Sequence, residues 1–431
     1  MFRRISATTF AVLLAGATLF AHSQNWPAWR GPTADGVATS TNLPVKWSAT
    51  ENVAWKLALP AYSGSTPIIW GNLIFLNVAT ENASGGLELW AVDRDKQAVA
   101  WKRPLAGGNH IERKQNMSSP SPVTDGRTVW VMTGVGILKA FDFTGKELWM
   151  RDIQTDYGRF GLNWGYASSP LLHQGALYMQ VLHGMKTDDP SYIFKVDGAS
   201  GKTLWKVERP TKAQRESPDS YATPALLQYQ GRTEIVITGG DAVTGHDPSS
   251  GVEIWRVEGL NPQNRTDYRV VASPTVMGGL IVSPSRNNPL TAIRPGGKGD
   301  ISGTHIAWQF DRGPDVPSPV SDGTYVYVVN ETGVVYCLEL KTGNVVYGPQ
   351  RLPNDFYSAS PVLADGKIYV TGETTGITTV FRSGPKFEIL SSNTFDDTCT
   401  PYCLSTVAVS DSQLFIRTSA HLWVVGTRAR Q

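Results

Sequence analysis

Phe141-Asp142-Phe-Thr-Gly145-Lys-Glu-Leu-Trp149 and Val196-Asp197-Gly-Ala-Ser-Gly201-Lys-Thr-Leu-Trp205 are two copies of one phrase. It returns as Val92-Asp93-Arg-Asp-Lys-Gln97-Ala-Val-Ala-Trp101, as His246-Asp247-Pro-Ser-Ser-Gly251-Val-Glu-Ile-Trp255, and as Leu338-Glu339-Leu-Lys-Thr-Gly343-Asn-Val-Val-Tyr347. The acid, the glycine and the ring stand four residues apart in most copies. Such spacing describes a strand, a tight turn and a second strand. The acid caps the turn through nearby backbone N–H groups, and glycine supplies a positive φ. The ring is then free to pack on the neighbouring unit.

A second phrase precedes each of these. It begins at Thr66-Pro67, Ser121-Pro122, Ser169-Pro170, Thr223-Pro224, Ser273-Pro274, Ser318-Pro319 and Ser360-Pro361, with an eighth copy lacking proline at Ser405-Thr406. Turn pairs such as Asp125-Gly126, Gly278-Gly279 and Asp365-Gly366 follow, flanked by β-rich runs such as Tyr325-Val-Tyr-Val-Val, so each copy reads as a hairpin. Four strands every roughly 42–55 residues, repeated eight times with no sustained helical period, predict an all-β, eight-bladed β-propeller of four-stranded antiparallel blades. Radial closure protects edges that a linear stack would expose.

The eighth unit runs out after three strand candidates, Val407–Val409, Gln413–Thr418 and His421–Val425. Near the start, Glu51-Asn-Val-Ala-Trp55-Lys-Leu-Ala-Leu59 is an orphan strand of the fourth kind. We therefore expect the N-terminal strand to complete the last blade. The expected structural docking rings are Trp55, Trp101, Trp149, Trp205, Trp255, Trp308 and Tyr347. Blades five and seven should be less regular. One carries the glycine-rich insert 295–299, and the other has only Phe381 and Phe387 where a tryptophan is expected.

These docking phrases with their Ser/Thr-Pro blade starts resemble the pyrroloquinoline-quinone-type (PQQ-like) propeller repeat, found in quinoprotein alcohol dehydrogenases and in BamB-like outer-membrane assembly lipoproteins. Trp26-Pro-Ala-Trp29-Arg-Gly-Pro32 resembles the start of exported members. The resemblance covers about 51–425 and is specific for fold rather than function. It implies either a binding scaffold or a dehydrogenase using PQQ and calcium. The dehydrogenases carry an adjacent-cysteine ring beside the cofactor, and this chain has no adjacent cysteine pair.

Three segments follow: 1–23 a signal peptide, 24–50 an N-terminal extension, and 51–431 the propeller. Arg3 and Arg4 form a basic region, and Phe10 to Phe20 is apolar but short for a membrane span. Ala21-His22-Ser23 then offers a cleavage site. The expected location is periplasmic or secreted. Lys plus Arg number 39 against 37 Asp plus Glu, which argues against a nucleic-acid partner. No membrane span is expected, and the chain is expected to be a monomer. Cys399 and Cys403, four apart in an exported chain, are expected to form a disulfide, with Cys337 a buried free thiol.

Loops that enter the innermost strands open onto one mouth of the central channel. They carry Tyr62, His110, Glu112, Arg113, Arg159, Asn163, Trp164, Tyr166, Asp219, Tyr221, Arg265, Tyr268, Asp355, Tyr357 and Tyr402. Aromatic side chains interspersed with Arg, Asp and Asn make a recognition surface. The same rings could equally be covers packed on their own blades. No residue is assigned a catalytic role, and no metal site is read from the histidines. The expected function is non-catalytic binding of a protein, peptide or saccharide, with no cofactor. The alternatives are a PQQ- and calcium-dependent dehydrogenase and an outer-membrane protein assembly scaffold.

Overall fold

A computed structural model describes residues 24–395, 397 and 399–427. The expected signal peptide, 1–23, lies outside the described residues. The chain forms eight antiparallel sheets in a ring, one per repeat and four strands in each, an eight-bladed propeller. In blade 1, Ile68–Trp70, Leu73–Ala79, Leu87–Asp93 and Ala98–Ala106 pair in sequence order from the channel outward. The strand Val53–Ala58 is the outermost strand of blade 8. It runs antiparallel to His421–Val425 with Val53 opposite Val425 and Ala58 opposite His421. Head and tail of the ring are thus joined by a backbone ladder.

The blades are tied by the Ser/Thr-Pro steps. In seven of the eight steps, all but Thr66, the Ser or Thr hydroxyl accepts the backbone N–H of the equivalent residue one blade earlier. Thr66 N–H donates to Ser121, Ser121 to Ser169, and Ser169 to Thr223, at 2.9, 2.9 and 3.0 Å. Thr223 donates to Ser273, Ser273 to Ser318, and Ser318 to Ser360, each at 2.9 Å, and Ser360 to Thr406 at 3.1 Å. At the seam between blades 8 and 1 the Ser405 hydroxyl donates to the Ser65 carbonyl at 3.1 Å. The buried Arg417 guanidinium donates to the Asn77 carbonyl at 2.9 Å.

At the rim, the rings meet the next blade's turn. Trp149 Nε1 donates to the Gly198 carbonyl at 2.9 Å, and a Cβ on Gly201 would lie 2.7 Å from the Trp149 ring. Gly201 also holds φ +72°, so glycine is needed there for conformation and for space. Trp101 meets Gly145, Trp205 meets Gly251, and Trp308 meets Gly343 in the same way. Trp55 lies in one apolar cluster with Val99 of blade 1. Two copies differ. Tyr347 packs on Phe387 at 5.8 Å between ring centroids. Trp255 is fully buried and donates to Glu234 Oε2 of its own blade at 2.6 Å. The glycine-rich insert explains the second case. It returns to blade 4, where Gly299–Asp300 adds a parallel strand beside Trp255 and Arg256.

Residues 24–47 form a strap across the face that carries the inner hairpin turns. Trp26 bridges Ile69 of blade 1, and the Pro27 carbonyl accepts from Thr124 of blade 2 at 2.9 Å. Arg30, buried, donates to the Ser318 and Pro319 carbonyls of blade 6 at 3.2 and 2.7 Å. Burial lowers its guanidinium to about 10. Val37–Ala38 adds a parallel strand to the inner edge of blade 7. Trp29 stands between the channel cavity and a groove on the far side, bordering both, and so floors the channel.

Replacing Ser121 by Ala strands the buried Thr66 N–H, and should cost about 1–3 kcal/mol by urea unfolding. Ser121→Thr keeps a hydroxyl in the form already present at Thr223 and Thr406. It should retain most of the stability. Equal losses in both variants would contradict a hydroxyl role.

Candidate functional site

The channel is open at the mouth opposite the strap. Its cavity, about 160 Å³, lies above Trp29 and is bordered by Lys114, Gln115, Trp164, Tyr221 and Arg269, with apolar Val271, Val316 and Leu404. Each polar group at the mouth is fixed by neighbours from another blade. Trp164 Nε1 and Asn163 Nδ2 both donate to Glu216 Oε1, at 3.0 and 3.1 Å. The Trp164 N–H donates to the Tyr221 hydroxyl at 3.0 Å. Arg113 and Arg269 lie 5.6 and 5.2 Å from the Trp164 ring, within cation–π range. Arg269 pairs with Asp315 at 3.2 Å, and Lys114 with Glu373 at 2.9 Å and Ser358 at 2.8 Å. Gln115 donates to the Trp164 carbonyl.

Asp219 anchors two loops. Its carboxylate accepts from the backbone N–H groups of Asn163 at 2.7 Å, Gly184 at 2.8 Å and Met185 at 3.2 Å. Burial pushes its pKa up to about 6, against the pull of those three donors. Asp219 therefore holds the loop that presents Trp164.

The sequence-derived candidates fall into separate groups. Asn163, Trp164, Asp219 and Tyr221 converge at the channel, with Arg113 above them. His110, Glu112, Arg159 and Tyr166 border a second cleft of about 500 Å³ with Lys186 and Asp189, where Lys186 pairs with Glu112 at 3.1 Å. Tyr62 meets Tyr402 edge-on at 6.1 Å. Arg265 pairs with Asp267 at 2.7 Å, and Tyr268 donates to Asn288. Asp355 accepts from the Thr374 and Thr375 backbone, and Tyr357 donates to the Pro353 carbonyl at 2.8 Å. Tyr62, Tyr166, Tyr221, Tyr268 and Tyr357 are each at most 7% exposed, so most of their surface packs within the protein. Cys399 and Cys403 form a disulfide beside Gly376, and Cys337 is free and buried.

Sequence reasoning did not select Trp29, Lys114, Gln115, Glu216, Asp315, Ser358 or Glu373, while Arg269 lies in a mouth loop that it did single out. Lys114 and Glu373 are 259 residues apart and belong to no repeated phrase. The only signal for Trp29 is its place in an unusual opening motif.

Calcium takes about six to eight oxygens. Glu216, Asp219, Asp315, Asp355 and Glu373 all already accept from protein donors. Among the described residues no three acidic, His or Cys side chains converge where a metal ion could sit.

Between pH 4 and 6 the folded chain binds a proton at Asp219 that the unfolded chain, near pKa ~3.9, has largely released. This contribution makes stability fall as pH rises through that window. Asp219→Asn should flatten the slope of the urea midpoint between pH 4 and 6 relative to the native protein. An unchanged slope would contradict the burial effect.

Comparison with known proteins places the geometry in a family. The family model described as outer membrane protein assembly factor BamB matches residues 33–163, 88–346 and 286–383. BamB from Moraxella catarrhalis is similar in structure, with TM-score 0.62 and 14% identity over 87% of this chain and 99% of that one. A europium-containing methanol dehydrogenase has TM-score 0.70 and 10% identity, over 94% of this chain and 98% of that one. The quinohemoprotein alcohol dehydrogenase from Comamonas testosteroni has TM-score 0.65 and 10% identity, over 95% and 81%. At these identities the structural likeness establishes the fold alone. Comparison with curated proteins finds no match. The overlapping matches run through most of the chain, which belongs to the PQQ-like propeller family whose model is described as outer membrane protein assembly factor BamB.

Proposed function

We propose that this chain is an exported, non-catalytic binding and scaffold module whose open channel mouth engages a protein, peptide or saccharide partner. The observation that carries the reading is the one-sided channel. Trp29 and its strap occupy one end, and the other presents Trp164, Arg113, Arg269, Lys114 and Gln115 on loops tied to three or more blades. Aromatic and arginine side chains held this way suit recognition, because little side-chain freedom remains to be lost on binding.

The BamB family description favours a protein partner over a saccharide, and an assembly role in the cell envelope over a free carrier. The segment 1–23 carries the export assignment, to the periplasm or outside. Among the described residues no helix is long and apolar enough to cross a membrane. The balanced charge argues against nucleic acid. The reading requires neither PQQ nor calcium, and takes the chain as a monomer.

A photo-crosslinking side chain at Arg113 should yield discrete adducts in cells, while the same probe at Val252, 60% exposed on the outer rim, should not. Titration with PQQ and calcium should give no saturable spectral change, and no dye reduction with alcohols. Quinone-dependent turnover, or no mouth-specific adducts, would overturn the reading.

A further inference from the structure

We propose that the channel is a receptor for the free C-terminal carboxylate of an extended polypeptide whose last residue is apolar. The proposal deepens the binding reading above and rests on it. Its first ground is the ring of hydroxyls. Ser121, Ser169, Thr223, Ser273, Ser360 and Thr406 all border the cavity. Each hydroxyl oxygen accepts a backbone N–H from the preceding blade, and among the described residues no acceptor faces its proton. Ser121, Ser169, Ser273, Ser360 and Thr406 are each at most 5% exposed. Six of the eight blade-start hydroxyls thus line the channel waist as O–H donors with no protein acceptor among the described residues.

The charges point the same way. The charged side chains bordering the cavity are Lys114 and Arg269, both cationic. Their partners Glu373, Glu216 and Asp315 stand behind them and do not border it. An occupant therefore meets hydroxyl donors and the cationic face of two ion pairs, a setting in which an oxyanion can accept charge-assisted hydrogen bonds.

The floor decides how an occupant enters. Trp29 closes the far end, so a chain cannot thread through and must present one of its ends. Of the two, the ammonium would face the cationic side of two ion pairs and six hydroxyl protons, whereas the carboxylate would accept from them. The cavity, about 160 Å³, is smaller than the ~300–1,000 Å³ of sites for drug-sized ligands, and suits the last residue of a chain. Val271, Val316 and the Trp29 indole offer that residue an apolar surface.

The test uses the full mature chain and three probes: the acetylated pentapeptide Gly-Ser-Gly-Ser-Phe with a free carboxylate, its C-terminal amide, and 3-phenylpropionate. Calorimetry should show the free acid binding at least about tenfold tighter than the amide, and tighter than 3-phenylpropionate. Lys114→Gln should narrow the gap between acid and amide. Equal binding of acid and amide would overturn the carboxylate assignment while leaving the binding reading intact. Binding of 3-phenylpropionate as tight as the peptide would overturn the polypeptide source in favour of a small organic acid. No saturable binding of the free acid would overturn the proposal outright. Should Lys114→Gln fail to fold, the acid–amide comparison on the native protein decides alone.

Discussion

The structure depends on one repeated hydrogen bond, made at seven of the eight blade junctions: a serine or threonine hydroxyl at the start of an inner strand accepting the backbone N–H of the same position one blade earlier. Taken singly each bond contributes roughly 1 kcal/mol. Taken together they fix the spacing and tilt of the eight inner strands around a common axis, because no accepting hydroxyl can shift without stranding a buried N–H in the preceding blade. Every other feature hangs on that circle. The rim indoles seat on turn glycines only if the blades keep this angle, and the mouth loops converge only because the inner strands hold them at equal radii.

The same bond has a consequence for the lumen. A hydroxyl that accepts from the wall still owns a proton, and the wall supplies nothing to receive it. Blade cohesion and lumen polarity are therefore one chemical fact seen from two sides. Lys114 and Arg269 extend the donor character to the mouth, and the strap residue Trp29 makes the channel one-sided. Together these turn a hole through a ring into a pocket.

Much of this was legible in sequence, for physical reasons that differ from part to part. The Asp-to-Trp phrase and the Ser/Thr-Pro step recur, and a recurring turn-and-strand signature must be structural. The unpaired strand around Trp55 matched the strand missing after Val425, and the backbone ladder between them follows. The hydroxyl circle was hidden because each bond joins residues about 50 positions apart, although every one of its serines and threonines was in view. The strap was illegible for the opposite reason, since nothing in it repeats. At the mouth, each tyrosine was visible, but whether a ring faces solvent or lies beneath a neighbouring loop is settled by long contacts such as Tyr268 with Asn288. Lys114 and Glu373, which meet across the ring, share no pattern at all.

Native-state hydrogen exchange tests the central claim most directly. If the hydroxyl circle holds the blades, the amides of Thr66, Ser121, Ser169, Thr223, Ser273, Ser318 and Ser360 should be among the slowest in the chain. They should also exchange together, with the free energy of global unfolding. Exchange of these amides one blade at a time, at rates typical of surface loops while the strand ladders stay protected, would contradict it.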